Sequence, residues 1–232
     1  MEIIKKIYKS YAEIVFPPIC VCCGSSTNSD EKSICSLCRE KRFESAFTDD
    51  KSIFPESVSF VHTMWFFDKG GYLQDLLHQL KYHSMKGVGI ELGTLLGKDF
   101  LDYRSREELD RIEALKPLIV PVPLHFKKRR KRGYNQARAL AEGVSRSTGW
   151  EIVGKETVER IRKTKTQTGL TLSQRSDNLK GAFQIASLNA IKNRCCIIVD
   201  DVFTTGATTF ELAKTLYEVN ENPSGILTVA RA

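Results

Sequence analysis

The stretch IIVDDVFTTGATT (197–209) decides how the rest of the chain is read. It starts as an apolar run suited to a sheet core, ends in two adjacent carboxylates, and enters a turn of threonines around one glycine. Adjacent acids repel, and Thr-Thr-Gly is a poor helix start on propensity alone. The string makes physical sense when its partner lies outside the chain. Backbone N–H groups at a helix N-terminus point outward and attract phosphate. Threonine hydroxyls add donors, and Gly206 lets the backbone approach closely. Asp200 and Asp201 cannot meet that phosphate favourably; they suit vicinal hydroxyls or a divalent cation. A phosphate with a diol nearby describes a ribose 5-phosphate. The competing reading is a plain strand–turn–helix in which the threonines only cap, but capping needs just one of those hydroxyls.

Working outward, the chain from Val58 onward alternates between strand and helix patterns. VSFVHTMWFF is β-rich, and GYLQDLLHQLKY sets Leu73, Leu76, Leu77 and Leu80 on one helical face. A second helix pattern follows in IELGTLLGKDFLDY. PLIVPVPL reads as a short buried strand ending at Val120, so that its core escapes the prolines. NQARALAEGVSRSTG is helical, EIVGKETVERI contains strand, RCCIIVDD is a core strand, TTFELAKTLYEV is helical and GILTVARA is a strand. This alternation predicts an α/β fold with a mostly parallel sheet flanked by helices. Ligands of such sheets sit at the carboxyl ends of the strands, where the acid pair falls.

The chain has 232 residues, 41% of them apolar, enough for a real core. Its apolar runs are too short to cross a bilayer. MEIIKKIYKSYAEIVF (1–16) is amphipathic without a small-residue cleavage site, so it reads as a helix rather than a signal peptide, and a cytoplasmic location is expected. KKRRKR (127–132) carries six of the seven net positive charges. A cationic loop so concentrated points to a polyanion or a phosphorylated ligand, with a solvated basic loop as the alternative.

Five of the seven cysteines fall within the first forty residues. Cys20/Cys23 and Cys35/Cys38 form two C-x-x-C knuckles separated by eleven residues, the pattern of a closed four-thiolate structural zinc site. Disulfides are the rival, and they fit poorly without a secretory signal. Cys22 is surplus to four ligands. Residues 1–47 therefore read as an N-terminal helix and metal module. The polar linker TDDKSIFPES follows, and the main domain spans 58–232. Cys195 and Cys196 read as buried small hydrophobes.

Taken in order, these strings resemble the ComF/ComFC competence-protein family. The resemblance runs through FPPIC and the paired knuckles, LKYHSMKG, PVPLHFKKRRKRGYNQARALA, RKTKTQTGLTLSQRSDNLKGAF, the 197–209 string and the closing VARA. That string is similar to the phosphoribosyl pyrophosphate (PRPP) signature of type I phosphoribosyltransferases. The resemblance implies a phosphoribosyltransferase-like domain with an N-terminal zinc ribbon. It implies that Asp200 and Asp201 hold the ribose hydroxyls, that Thr204, Thr205, Gly206, Ala207 and Thr208 cradle the 5-phosphate, and that Mg2+ bridges ribose and pyrophosphate. Arg132, Gly133, Asn135 and Gln136 are candidates for the pyrophosphate, with some of Lys127 to Lys131 left to attract another polyanion such as single-stranded DNA. Arg160 and Lys165 belong to a second basic segment, also holding Arg162, Lys163 and Arg175, which the resemblance implies closes over the site, with a mobile basic surface loop as the alternative.

The implied role is in natural transformation, handling incoming single-stranded DNA at the inner membrane beside uptake machinery that includes a translocation ATPase. A metabolic transferase acting on a nucleobase or amine is the first alternative. Its glutamine-dependent form, which needs a cysteine at the mature N-terminus, is not expected, since residue 2 is Glu2 and the cysteines first appear at Cys20. A DNA-binding adaptor with a relic transferase site is the second. None of the four histidines forms a triad or metal cluster with its sequence neighbours.

Overall fold

The computed structural model describes residues 18–27, 33–46, 54–82, 85–162 and 179–232. The helix expected over 1–16 lies outside these residues, as do Lys163, Lys165, Arg175 and His83. Five strands form one fully parallel sheet: β1 (Val58–Phe66), β2 (Leu118–Pro121), β3 (Glu151–Ile152), β6 (Cys196–Phe203) and β7 (Ser224–Arg231), in the order β1-β7-β6-β2-β3. A separate antiparallel hairpin pairs β4 (Val158–Arg160) with β5 (Phe183–Ile185). The helices are α1 (Tyr72–Tyr82), α2 (Lys86–Tyr103), α3 (Arg106–Ala114), α4 (Phe126–Arg132), α5 (Gln136–Thr148) and α6 (Ala207–Asn220). Among the described residues no helix is long and apolar enough to cross a membrane.

The period-2 alternation of a strand assigns its two faces. Ile197 and Val199 of β6 face a core shared with α1, α2 and α5, whereas Cys196 and Ile198 face one shared with α6 and the hairpin. Helices thus cover both faces, as an all-parallel sheet requires. Two departures from the sequence reading have local causes. Strand β2 continues one residue past Val120 to Pro121. Toward β3 the Val153 N–H still donates to Ile119, and the ladder stops there because Pro121 has no N–H to give; the Val153 carbonyl takes Arg138 Nη1 instead. Helix α3, which the strand–helix reading passes over, starts at a capping box in which Ser105 and Glu108 satisfy each other's backbone N–H.

Helices α2 and α5 cross in backbone contact. A Cβ built on Gly93 would stand 1.9 Å from the Leu140 carbonyl oxygen, and one on Gly143 would stand 2.0 Å from that of Ile90. Only glycine permits this approach. The cysteine module packs on the same layer. Glu91 of α2 accepts from the backbone N–H of Ser33 and Ile34, and Phe43 meets Trp65 of β1 at 4.7 Å between ring centroids.

Candidate functional site

The chain leaves β2 through α5 toward β3 and leaves β6 through α6 toward β7, on the opposite side of the sheet. Between the carboxyl ends of β2 and β6 the strand order reverses, and a crevice opens there. Its volume is about 340 Å3, and its walls include Asp200, Asp201, Thr204, Gly206, Ala207 and Thr208. Gln136, Arg132 and Arg160 line it too, joined by two cations the sequence reading did not single out for the site, Lys81 and Lys128.

Local geometry arranges the acids. The Asp201 N–H donates to Asp200 Oδ1 at 2.9 Å, and the Val202 N–H to Asp201 Oδ1 at 2.9 Å. Asp201 is buried, and its Oδ2 meets Lys81 Nζ at 2.8 Å. Lys81 comes from the last turn of α1, which the Tyr134 hydroxyl pins by donating to the Leu80 carbonyl. Burial raises the Asp200 carboxyl well above its usual range, and the neighbouring Asp201 charge adds to it. Burial also works against Asp201, but the Lys81 ammonium more than reverses that, with Arg132 assisting, and Asp201 stays ionised. Lys81 in turn is raised chiefly by Asp201. Lys128 is lowered by burial and by repulsion from Arg160, Arg132 and Lys81. Four cations against two acids leave the crevice with excess positive charge, which a bound polyanion would relieve.

The turn at 204–208 is not a threonine cap. The N-cap of α6 is Gly206, at φ 71°, with no side-chain capping bond. Thr209 donates its hydroxyl back to the Gly206 carbonyl at 3.0 Å. The Ala207 N–H reaches Thr205 Oγ1 only at 3.5 Å, and Thr205 itself is not part of the crevice wall. The helix N-terminus opens onto the crevice with no side-chain capping bond at Gly206, which suits a phosphate seat.

The cationic run is not a loop. It forms α4, with the His125 side chain accepting from the Lys127 N–H at 3.4 Å and Gly133 closing the helix at φ 77°. Lysine and arginine favour helix, and the two caps outweigh the like-charge spacing. The helix divides the run: Lys128 and Arg132, one turn apart, are half-buried at the crevice, whereas Lys127, Arg130 and Lys131 face solvent. Gly133 and Asn135 line an adjoining cavity instead. Asn135 caps α5 by accepting from the Ala137 N–H at 3.1 Å, and its amide donates to Val122 at 3.0 Å. Gln136 is 5% exposed, and its Oε1 has no hydrogen-bond partner among the described residues. Among the described residues no histidine lines the crevice: His125 caps α4 and His62 pairs with Asp99 at 2.8 Å.

A second candidate site lies in the cysteine module. The Sγ atoms of Cys20, Cys23, Cys35 and Cys38 all lie within 4.8 Å of one another, with Cys20–Cys38 at 3.8 Å and Cys23–Cys35 at 3.7 Å. Tetrahedral zinc–thiolate bonds of about 2.3 Å require sulfur–sulfur edges of about 3.8 Å. The four thiols can hold a metal ion, and Cys22 stands outside the set. Gly24, at φ 73°, makes the knuckle turn and donates to the Cys20 carbonyl at 2.8 Å.

No family model matches the sequence. Curated relatives do. The chain is 32% identical over 200 residues to the DNA utilization protein YhgH of Escherichia coli (strain K12), covering 85% of this chain and 83% of that protein. It is 34% identical over 163 residues to Competence protein F of Haemophilus influenzae, covering 69% and 68%. Competence protein ComFC of Bacillus subtilis (strain 168) matches at 24% identity over 204 residues, or 86% and 78%. With its cysteine cluster, its parallel sheet and 32–34% identity to these relatives over most of its length, the chain belongs to the ComF competence-protein family.

Proposed function

We propose that the crevice binds PRPP together with Mg2+, on a domain of the type I phosphoribosyltransferase kind, and that the protein serves competence or DNA utilization as its relatives' names describe. One observation carries the reading: an acid pair, an uncapped helix N-terminus and four cations converge on one crevice at the strand-order reversal. Asp200 and Asp201 take the two ribose hydroxyls as acceptors. Backbone N–H groups at Gly206, Ala207 and Thr208, with the Thr204 and Thr208 hydroxyls, receive the 5-phosphate. Lys128, Arg132, Arg160 and the Gln136 side-chain amide face the diphosphate. The carboxylates suit a hard cation, and Mg2+ when bound neutralises diphosphate charge. Cys20, Cys23, Cys35 and Cys38 hold Zn2+ in a structural role.

Calorimetric titration of the full chain with PRPP and Mg2+ tests this. Saturable heat is expected, and Asp200→Ala/Asp201→Ala abolishes it; absence of heat from well-folded protein sinks the reading. The solvent-facing side of α4 favours a companion activity, attraction of single-stranded DNA through Lys127, Arg130 and Lys131. Neutralising those three removes salt-sensitive strand binding and leaves PRPP binding intact.

A further inference from the structure

Beside the acid crevice lies a larger cavity of about 760 Å3, bounded by the chain after β2, helices α4 and α5, and the segment from β3 to β4. The two spaces share Leu124 and Arg160. Each falls within the span of about 300–1,000 Å3 common to small-molecule sites. We propose that the larger cavity is a binding compartment for a nucleobase carried on a phosphorylated sugar.

The lining selects that chemistry. Pro121, Pro123, Leu124, Val153 and Val158 give apolar walls, suited to the faces of a flat ring. Two large apolar side chains stand at the cavity yet remain largely exposed, Phe126 at 59% and Ile161 at 51%. An exposed aromatic beside cations is the usual platform on which a base stacks. The polar groups are mixed rather than of one sign. Arg138 and Glu142 lie at i and i+4 on α5 and both reach the cavity. Arg138 Nη1 donates to the Val153 carbonyl at 2.6 Å, while its buried Nε has no acceptor among the described residues. Glu142 is oriented by Lys86 at 2.9 Å. A donor beside an acceptor on one helix face matches a heterocycle that carries both on its edge. A hydrocarbon would leave the buried Arg138 Nε without an acceptor, and a bare anion would meet Glu142, Glu156 and Glu159. Arg129, Lys155 and Arg160 supply positive charge for the attached phosphate.

The proposal stands apart from the PRPP assignment and is tested separately. The full chain is titrated calorimetrically with the deoxynucleoside 5′-monophosphates, and in a second arm with a short oligothymidylate. Saturable mononucleotide binding is expected. Phe126→Ala, a surface change that leaves the fold intact, weakens it about tenfold, as loss of one base-stacking partner does; Arg138→Gln weakens it similarly. PRPP titration of Phe126→Ala stays at the wild-type value. A strand that binds with the same Phe126 dependence identifies a strand end as the source of the base, and a strand that fails to compete identifies the free nucleotide. No saturable mononucleotide binding at millimolar concentration overturns the proposal. So does binding that both variants leave unchanged, or strand binding in the absence of any mononucleotide binding.

Discussion

Replacing Gly93 with alanine adds one methyl group where α2 and α5 touch. The new Cβ would lie 1.9 Å from the Leu140 carbonyl oxygen, 2.7 Å from its carbonyl carbon and 2.8 Å from its Cα. All three are backbone atoms of a helix, so no rotamer change relieves the clash. Restoring a normal carbon–oxygen approach of about 3.3 Å requires the helices to part by about 1.4 Å. That separation strips packing from Leu92, Leu96, Leu140 and Val144, which belong to the same buried core. Overpacking of this kind costs about 1–3 kcal/mol, and a rigid backbone obstacle puts it at the upper end. Alanine's better helix propensity returns about 1 kcal/mol. The net loss is about 2 kcal/mol, or about 4–8 °C in Tm for a chain of this size. Gly87 provides the control: it lies on the same helix, is exposed, and has nothing within 4 Å of a built Cβ. Gly87→Ala therefore stabilises, by about 0.5–1 kcal/mol. Thermal and urea unfolding followed by circular dichroism reads both changes. A Gly93→Ala protein as stable as wild type would refute the backbone contact between the helices.

Three further outcomes follow from the two candidate sites. Asp200 carries a carboxyl raised by burial and by Asp201 to about 8, so the native state binds more protons than the unfolded chain and loses stability as pH climbs from about 4 toward 8. Asp200→Asn should raise Tm by about 4 °C at pH 8 and leave it unchanged near pH 4, while abolishing PRPP binding. Lys81→Met has the opposite pH signature, because it strands the lowered Asp201 carboxylate in a buried position. Its cost is about 2 kcal/mol at pH 8, discounted for the partial exposure of Lys81, and fades as the pH falls and Asp201, now raised by burial with no ammonium beside it, takes up a proton. In the cysteine module, Cys38→Ser should lose bound zinc by atomic absorption and drop Tm by roughly 10 °C or more, whereas Cys22→Ser keeps one zinc per chain.

What the sequence discloses and what it withholds divide along local and distant interactions. Strand β6, its acid pair and the glycine turn are all legible, because an apolar run, two adjacent carboxylates and a positive-φ glycine are properties of neighbouring residues. The knuckle spacing marks the four thiols that the fold gathers, for the same reason. Lys81 is not legible as a site residue. It reaches Asp201 only because α1 ends over the crevice, and nothing in LKYHSMKG states where that helix points. The course of α4 was hidden differently: six adjacent cations suggest a solvated loop, and the helix depends on His125 and Gly133 at its two ends. Helix α3 had its signal in the sequence, the S-x-x-E string at Ser105, which outweighs its lack of any buried residue.

Sheet order also sets a timetable for making the protein. Strand β1 pairs along its length with β7, the last strand in chain order, and β7 separates it from β6. A ribosome adding about 5–20 residues per second needs roughly ten to thirty seconds to go from one to the other. Throughout that interval a strand that folding buries almost wholly, Val58–Phe66, has emerged without its β7 partner, and the earlier segment can bond it at Met64 and Phe66 alone through Ala46 and Glu44. Helices α1, α2 and α5 can gather over it before then, and the centre of the sheet closes only when β7 arrives. Newborn chains therefore rely on those helices, or on a holding chaperone, to keep β1 from pairing with a neighbour's.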